Sequence, residues 1–182
     1  EYNKITWDLS KCDNLLKDVF KELDSKEFTD ILSKVTNVHN IEPNSEGGAR
    51  GSGIHKTLRD GYLGIHTDFN TFEHSKLGKL DRRINILIYL NPDWKEEYGG
   101  HLKLIEHNNL NNQKKILPII NRCVIFNTTK HSWHGHDEPL KCPDSLIRSS
   151  IANYYYTKNT NKNVDFEGEK EHNTRWWKNN FK

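Results

Sequence analysis

The chain has 182 residues, 34% hydrophobic and 29% charged, and its 27 Lys and Arg against 25 Asp and Glu leave a formal net charge of +2. That length suits one domain with a real core and at most one active centre, and the near balance of charge gives no strong electrostatic pull toward nucleic acid. The cysteines Cys12, Cys123 and Cys142 are odd in number and form no C-x-x-C pair, which argues against a disulfide framework or a thiolate zinc site.

The expected setting is a reducing cytoplasm. No apolar run approaches the roughly 20 residues of a membrane span, and the N-terminus lacks the order of a signal peptide. Residue 1 is Glu rather than Met, which leaves open a leader removed ahead of it. Ser10 and Asp13 are capping candidates for a first helix, whose stripe is Leu15, Leu16, Val19, Phe20 and Leu23. A second follows Asp24 and Ser25, with Phe28, Ile31, Leu32 and Val35 at helical spacing. NSEGGARGSG, residues 44–53, then predicts a flexible loop.

Beyond the loop the hydrophobic period becomes two. In RINILIYL, residues 83–90, Ile84, Ile86, Ile88 and Leu90 share one face of a strand while Asn85, Leu87 and Tyr89 share the other. Shorter strands are expected at IHKTLR from 54, YLGIHTD from 62, HLKLI from 101, RCVIF from 122 and RSSIANYYY from 148. Turn signals fall between them, at DG from 60, NPDW from 91, YGG from 98 and HDEP from 136. Two helices followed by many short strands imply a mainly β fold, a sandwich or barrel with helices against one sheet. The expected organisation is helical support over 1–43, a β core over 54–157 and a polar tail over 158–182, in which Trp176 and Trp177 serve as an anchor.

On a strand through residues 62–68, His66 and Asp68 point the same way, about 7 Å apart along the chain. Both can reach one cation, which then needs a further histidine from elsewhere, and HSWHGH offers His131, His134 and His136. Two histidines and a carboxylate on one face of an octahedral ion leave open positions, as in non-haem Fe(II) oxygenases. In RSSIANYYY, Arg148 shares a face with Ser150 and Ala152, leaving room for a carboxylate to meet the guanidinium through paired hydrogen bonds. Tyr89 can offer its hydroxyl to the same carboxylate. Arg82, Arg83, Trp94 and Trp133 are candidates for a substrate rim.

HTDFN at 66, RRINILIYLNPDW at 82, GGHLKL at 99, LPIINRCVIFNT at 117, SWHGHDEPL at 132 and RSSIANYYYT at 148 together resemble the prolyl 4-hydroxylase branch of the 2-oxoglutarate- and Fe(II)-dependent dioxygenases. The resemblance implies a double-stranded β-helix, a jelly roll of two sheets with the helices buttressing the larger one. It implies iron held by His66, Asp68 and His134, and 2-oxoglutarate held at its distal carboxylate by Arg148 with help from Tyr89. Arg148 lies further beyond His134 than the matching basic residue does in many relatives, so EPLKCPDSLI must loop out. Lys141, within that connection, is the alternative.

The activity implied is hydroxylation of proline in a peptide or protein, coupled to oxidation of 2-oxoglutarate to succinate and CO2, with Fe(II), O2 and ascorbate as the cofactors; residues 44–53 are either a lid over the site or an ordinary connection between helices and sheet. Neither a nucleic-acid nor a membrane partner is expected. The same chemistry on free proline, another amino acid or a sugar is the first alternative; a binding module on the same fold, or a zinc site, is the second.

Overall fold

The isoleucine row of residues 84–88 is the seam on which the helices sit. In the computed structural model, which describes residues 1–7, 9–42, 51–106, 109–158 and 171–177, the chain opens with β1 (Tyr2–Trp7), α1 (Asn14–Leu23) and α2 (Lys26–Thr36). The strands β2 (Ile41–Glu42), β3 (Gly53–Thr67), β4 (Thr71–His74) and β5 (Gly78–Tyr89) follow. After them come β6 (Leu102–Glu106), β7 (Asn109–Ile116), β8 (Cys123–Asn127), β9 (Trp133–His136), β10 (Arg148–Lys158) and β11 (Arg175–Trp176).

All pairings are antiparallel, and they build two sheets that share β3. The larger sheet has β10 between β5 and the first half of β3, with β1 beyond β3 and with β4 and β8 beyond β5. The smaller runs β7, β6, β9, second half of β3, β11. This is the jelly roll that the resemblance implies.

The sequence signals at DG from 60 predict a turn between two strands. The structure instead runs one 15-residue strand through it. Asp60 takes φ 61°, and a Cβ on Gly61 would lie 2.6 Å from the Thr57 side chain and 2.9 Å from the Tyr2 carbonyl oxygen. The pair is a bend within a strand, where β3 leaves one sheet for the other, and not a reversal. The polar segment at β7 carries no period-two signal, yet it pairs with β6 along the edge of the smaller sheet.

The helices cover one face of the larger sheet. Asp13 accepts the Leu16 N–H at 2.9 Å and Ser25 accepts the Phe28 N–H at 3.1 Å, so each helix has its N-cap, worth about 1 kcal/mol apiece. Asn37, at φ 57°, ends α2 in the left-handed conformation. Phe20 and Leu23 pack on Ile54 and Ile151, while Leu32 packs with Ile84, Ile86 and Tyr155. Polar bonds pin the same contact: Asn153 Nδ2 donates to Asp24 Oδ1 at 2.8 Å, and the Tyr155 hydroxyl to the Leu23 carbonyl at 2.9 Å. The opposite face of that sheet, carrying Asn85, Leu87, Ser150 and Tyr154, turns toward the smaller sheet and lines a cleft.

Among the described residues no helix is long and apolar enough to cross a membrane. Most of the expected loop at 44–53 lies outside the described residues. So does most of the tail, but 171–177 runs along the cleft: Asn70 N–H donates to the His172 carbonyl, and Trp177 N–H to the Ile65 carbonyl. Trp177 stacks edge-on against Trp133 at 4.7 Å, the anchoring expected of it.

Candidate active site

His66 stands near the end of β3, and the β3–β9 register puts it directly opposite His134. Their ring centroids are 4.4 Å apart. Asp68 follows two residues after His66, with its Oδ1 3.6 Å from His66 Nε2 and its Oδ2 3.4 Å from His134 Nε2. One ligand atom from each of the three lies within 4.8 Å of the others.

Both rings are oriented by their neighbours. His66 Nδ1 meets the Gly64 carbonyl at 2.9 Å and His134 Nδ1 meets the Ser132 carbonyl at 2.9 Å. A carbonyl only accepts, so Nδ1 carries the proton in each ring and Nε2 presents a lone pair to the centre. Burial, against the pull of Asp68, pushes His134 down to about 4 and keeps its ring neutral. Burial also works to raise Asp68, but the Arg82 guanidinium and the two imidazoles prevail and hold it well below the usual carboxylate range. Two imidazoles and one carboxylate are the donor set that a divalent transition metal takes.

Asp68 is held from behind. Arg82 Nη2 lies 3.1 Å from its Oδ2, and Asn85 Nδ2 donates to the same oxygen at 2.7 Å. Asn85 Oδ1 in turn accepts from Arg82 Nε at 3.0 Å, Arg82 Nη2 at 2.8 Å and the Thr128 hydroxyl at 3.2 Å. Strict alternation would place Arg82 on the isoleucine face. A bulge prevents this: Ile84 pairs with Tyr155 and Arg82 with Tyr156, which leaves Arg83 as the extra residue of β5. Arg82 thereby joins the Asn85 face, with its guanidinium carbon 3.6 Å from the centroid of the Tyr154 ring.

The cleft, of about 950 Å³, extends from this centre to Arg148. Arg148 is 4% exposed. Its Nε donates to the Gly100 carbonyl at 2.8 Å and its Nη2 faces the Tyr89 hydroxyl at 3.4 Å. Gly100 has φ +72°, and a Cβ there would sit 2.9 Å from Arg148 Cδ and 2.6 Å from Leu140, so the arginine's bed needs glycine. Among the described residues no carboxylate forms an ion pair with Arg148. A buried cation with no anion is costly, and a ligand carboxylate would relieve that cost.

The rim candidates are not at a rim. Arg82 is 1% exposed behind Asp68, Arg83 is buried by Thr157, and Trp94 is buried with Leu140 and Cys142. Trp133 packs with Ile65 and Ile105, because alternation along β9 turns it to the face opposite His134. His131 is exposed in the turn before β9, and Lys141 is exposed beside a separate pocket, so neither replaces His134 or Arg148. The sequence assigns Asn85 no role at the site and reads Trp176 only as an anchor of the tail. An amide inside an isoleucine-rich strand is a signal, since a buried amide needs partners. Trp176 is 48% exposed on the cleft wall, 5.1 Å from the His66 ring, and no periodicity announces it.

HygX of Streptomyces hygroscopicus, solved with nickel, 2-oxoglutarate and hygromycin B bound, has a similar structure: TM-score 0.56 and 12% identity, over 95% of this chain and 79% of HygX. A Pseudomonas putida prolyl-4-hydroxylase gives TM-score 0.52 and 13% identity, over 85% of this chain and 70% of the enzyme. A prolyl 4-hydroxylase of Phytophthora capsici gives 0.52 and 19%, over 87% of this chain and 48% of that one. These likenesses are of fold. Among curated protein sequences none matches significantly. The family profile described as the 2OG-Fe(II) oxygenase superfamily matches residues 52–156; that stretch is more than half of the chain and contains His66, Asp68, His134 and Arg148, and the protein belongs to that superfamily.

Proposed function

We propose that the protein hydroxylates prolyl residues in a peptide or protein, using Fe(II) held by His66, Asp68 and His134 and 2-oxoglutarate held at its distal carboxylate by Arg148 and Tyr89. The observation that carries this reading is the buried Arg148, without an acidic partner among the described residues, at the end of a cleft whose other end gathers two imidazole lone pairs and a carboxylate. The donor set fits the metal, and the lone cation fits the keto acid.

Bound there, iron and 2-oxoglutarate supply the activation of O2 that turns 2-oxoglutarate into succinate and CO2 and hydroxylates a C–H bond. The chain contributes position and environment. Asn85 and Arg82 keep Asp68 ionised and fix its carboxylate, while the Gly64 and Ser132 carbonyls fix the two rings. Leu87, Leu102 and Phe126 line the cleft and keep water from its floor. Arg148 and Tyr89 orient the cosubstrate from the far end.

A second reading keeps the chemistry and changes the target to free proline, another amino acid or a sugar. It is favoured by the 171–177 segment, which walls one side of the cleft and sets the Trp176 indole near His66. A wall on that side narrows the cleft, and a narrower site suits a small ring better than an extended chain.

Anaerobic addition of Fe(II) and 2-oxoglutarate tests the common part, through the weak visible charge-transfer band of a chelated ferrous complex. His134→Ala is expected to abolish the band by losing the metal; Arg148→Ala is expected to lose 2-oxoglutarate while still binding metal. Wild-type behaviour in both variants overturns the assignment. Mass-spectrometric hydroxyproline from a proline-rich peptide, against free proline as the competitor, separates the two targets.

A further inference from the structure

His136 shares the cleft face of β9 with His134 but is built differently. It is 4% exposed, and its Nδ1 is sealed from solvent with no hydrogen-bond partner among the described residues. In His66 and His134 a carbonyl draws the proton to Nδ1 and leaves Nε2 as a lone pair. At His136 no carbonyl does so. A proton on that Nδ1 would be a buried, unpaired N–H, whereas a bare lone pair there is better tolerated. The favoured tautomer therefore carries its proton on Nε2, the ring's remaining polar atom. Two adjacent histidines on one strand face thus offer opposite chemistry: His134 an acceptor for a cation, His136 a donor for an anion.

The surroundings select the partner. His136 lines the cleft together with Arg148 and Ser150. It also backs a smaller pocket of about 260 Å³, but there the buried Lys103 is already engaged by Asp137 and Glu138 at 2.6 Å each and His101 by Glu96 at 2.8 Å, and the other lysines of its lining, Lys115 and Lys141, are exposed to solvent. The buried cation without an acidic partner among the described residues, Arg148, lies in the main cleft. We propose that His136 is a second anchor for the distal carboxylate of the keto acid, donating from Nε2 beside the Arg148 guanidinium, and that it makes the site selective for a dicarboxylic 2-oxo acid. This rests on the 2-oxoglutarate reading above.

The test is anaerobic calorimetry on Fe(II)-loaded protein with 2-oxoglutarate and with 2-oxopentanoate, which has the same chain length and no distal carboxylate. His136→Phe keeps the ring's bulk without a donor; His136→Gln keeps a donor. A hydrogen bond to a charged group predicts a loss of about tenfold to a hundredfold in 2-oxoglutarate affinity for the Phe variant. The Gln variant is expected to recover most of it, 2-oxopentanoate affinity is expected to be equal in all three proteins, and Fe(II) affinity is expected to be unchanged. Unaltered 2-oxoglutarate binding in the Phe variant overturns the role of His136 while leaving the proposed function intact. Equal losses for both acids, or no recovery with Gln, overturn it in favour of packing. Absence of 2-oxoglutarate binding by the wild type overturns the function itself.

Discussion

The two ends of the cleft treat charge in opposite ways. At the metal end the Asp68 carboxylate already has Arg82 and Asn85 against it, and both histidine rings have their outer nitrogens bonded to backbone. At the other end Arg148 is buried too, and among the described residues its polar contacts are a carbonyl and a phenol. Under the proposed function, the compensated charges hold the donor set in place and the uncompensated one receives the ligand carboxylate. The first arrangement gives a rigid donor set, and the second a waiting cation.

Removing each arginine in turn is the sharpest way to break this comparison. Arg82→Met leaves Asp68 buried without its counter-charge and is expected to destabilise the metal-free protein by about 3–5 kcal/mol in urea unfolding. Arg148→Met is expected to leave that stability unchanged or to raise it, because it removes a buried cation that no acidic group among the described residues balances. Equal losses from the two would show that the ends do not differ.

Asn85→Leu probes the metal end more finely. It keeps the side chain's approximate volume and deletes the bond to Asp68, so Fe(II) affinity is expected to fall by about 10- to 100-fold, the usual range for a group that orients a ligand. A metal titration under anaerobic conditions measures it. An unchanged affinity would mean that Arg82 alone orients the carboxylate.

The smallest effect belongs to a charge serving neither end. Asp24, half-buried between α1 and β10, is pushed up to about 6 by burial, against the bond from Asn153. The folded protein therefore holds this proton more tightly than the unfolded chain, whose aspartates titrate near ~4. The associated stability is fully present below that value and is lost as pH rises through about 6. Asp24→Asn, which can still accept from Asn153, is expected to flatten the change in stability across that window. Thermal melts at several pH values read it out, and an unaltered slope would sink the assignment.

Much of this was legible in the chain. The period-two row in β5 declared both of its faces, and the apolar stripes and capping residues of α1 and α2 declared the helices. H-x-D and H-G-H marked three groups that the β3–β9 register then set together. Less visible were the strands whose sides need not differ: the polar β7 lies on an edge with Asn111 to Lys115 all exposed, so that stretch leaves no alternation to read. The bend at Asp60 and Gly61 looked like a turn because both uses demand the same backbone freedom.

The sequence by itself determined the two helices, the mainly β character and the types of side chain available for the chemistry, since these follow from local period and composition. Tertiary structure alone decided where they point. One extra residue at Arg83 turned Arg82 from the core face to the back of Asp68, strand alternation sent Trp133 away from the cleft, and the path of residues 171–177 brought Trp176 to its wall. Each outcome depends on pairing between segments far apart in the chain, and such contacts have no signature in the spacing of nearby residues.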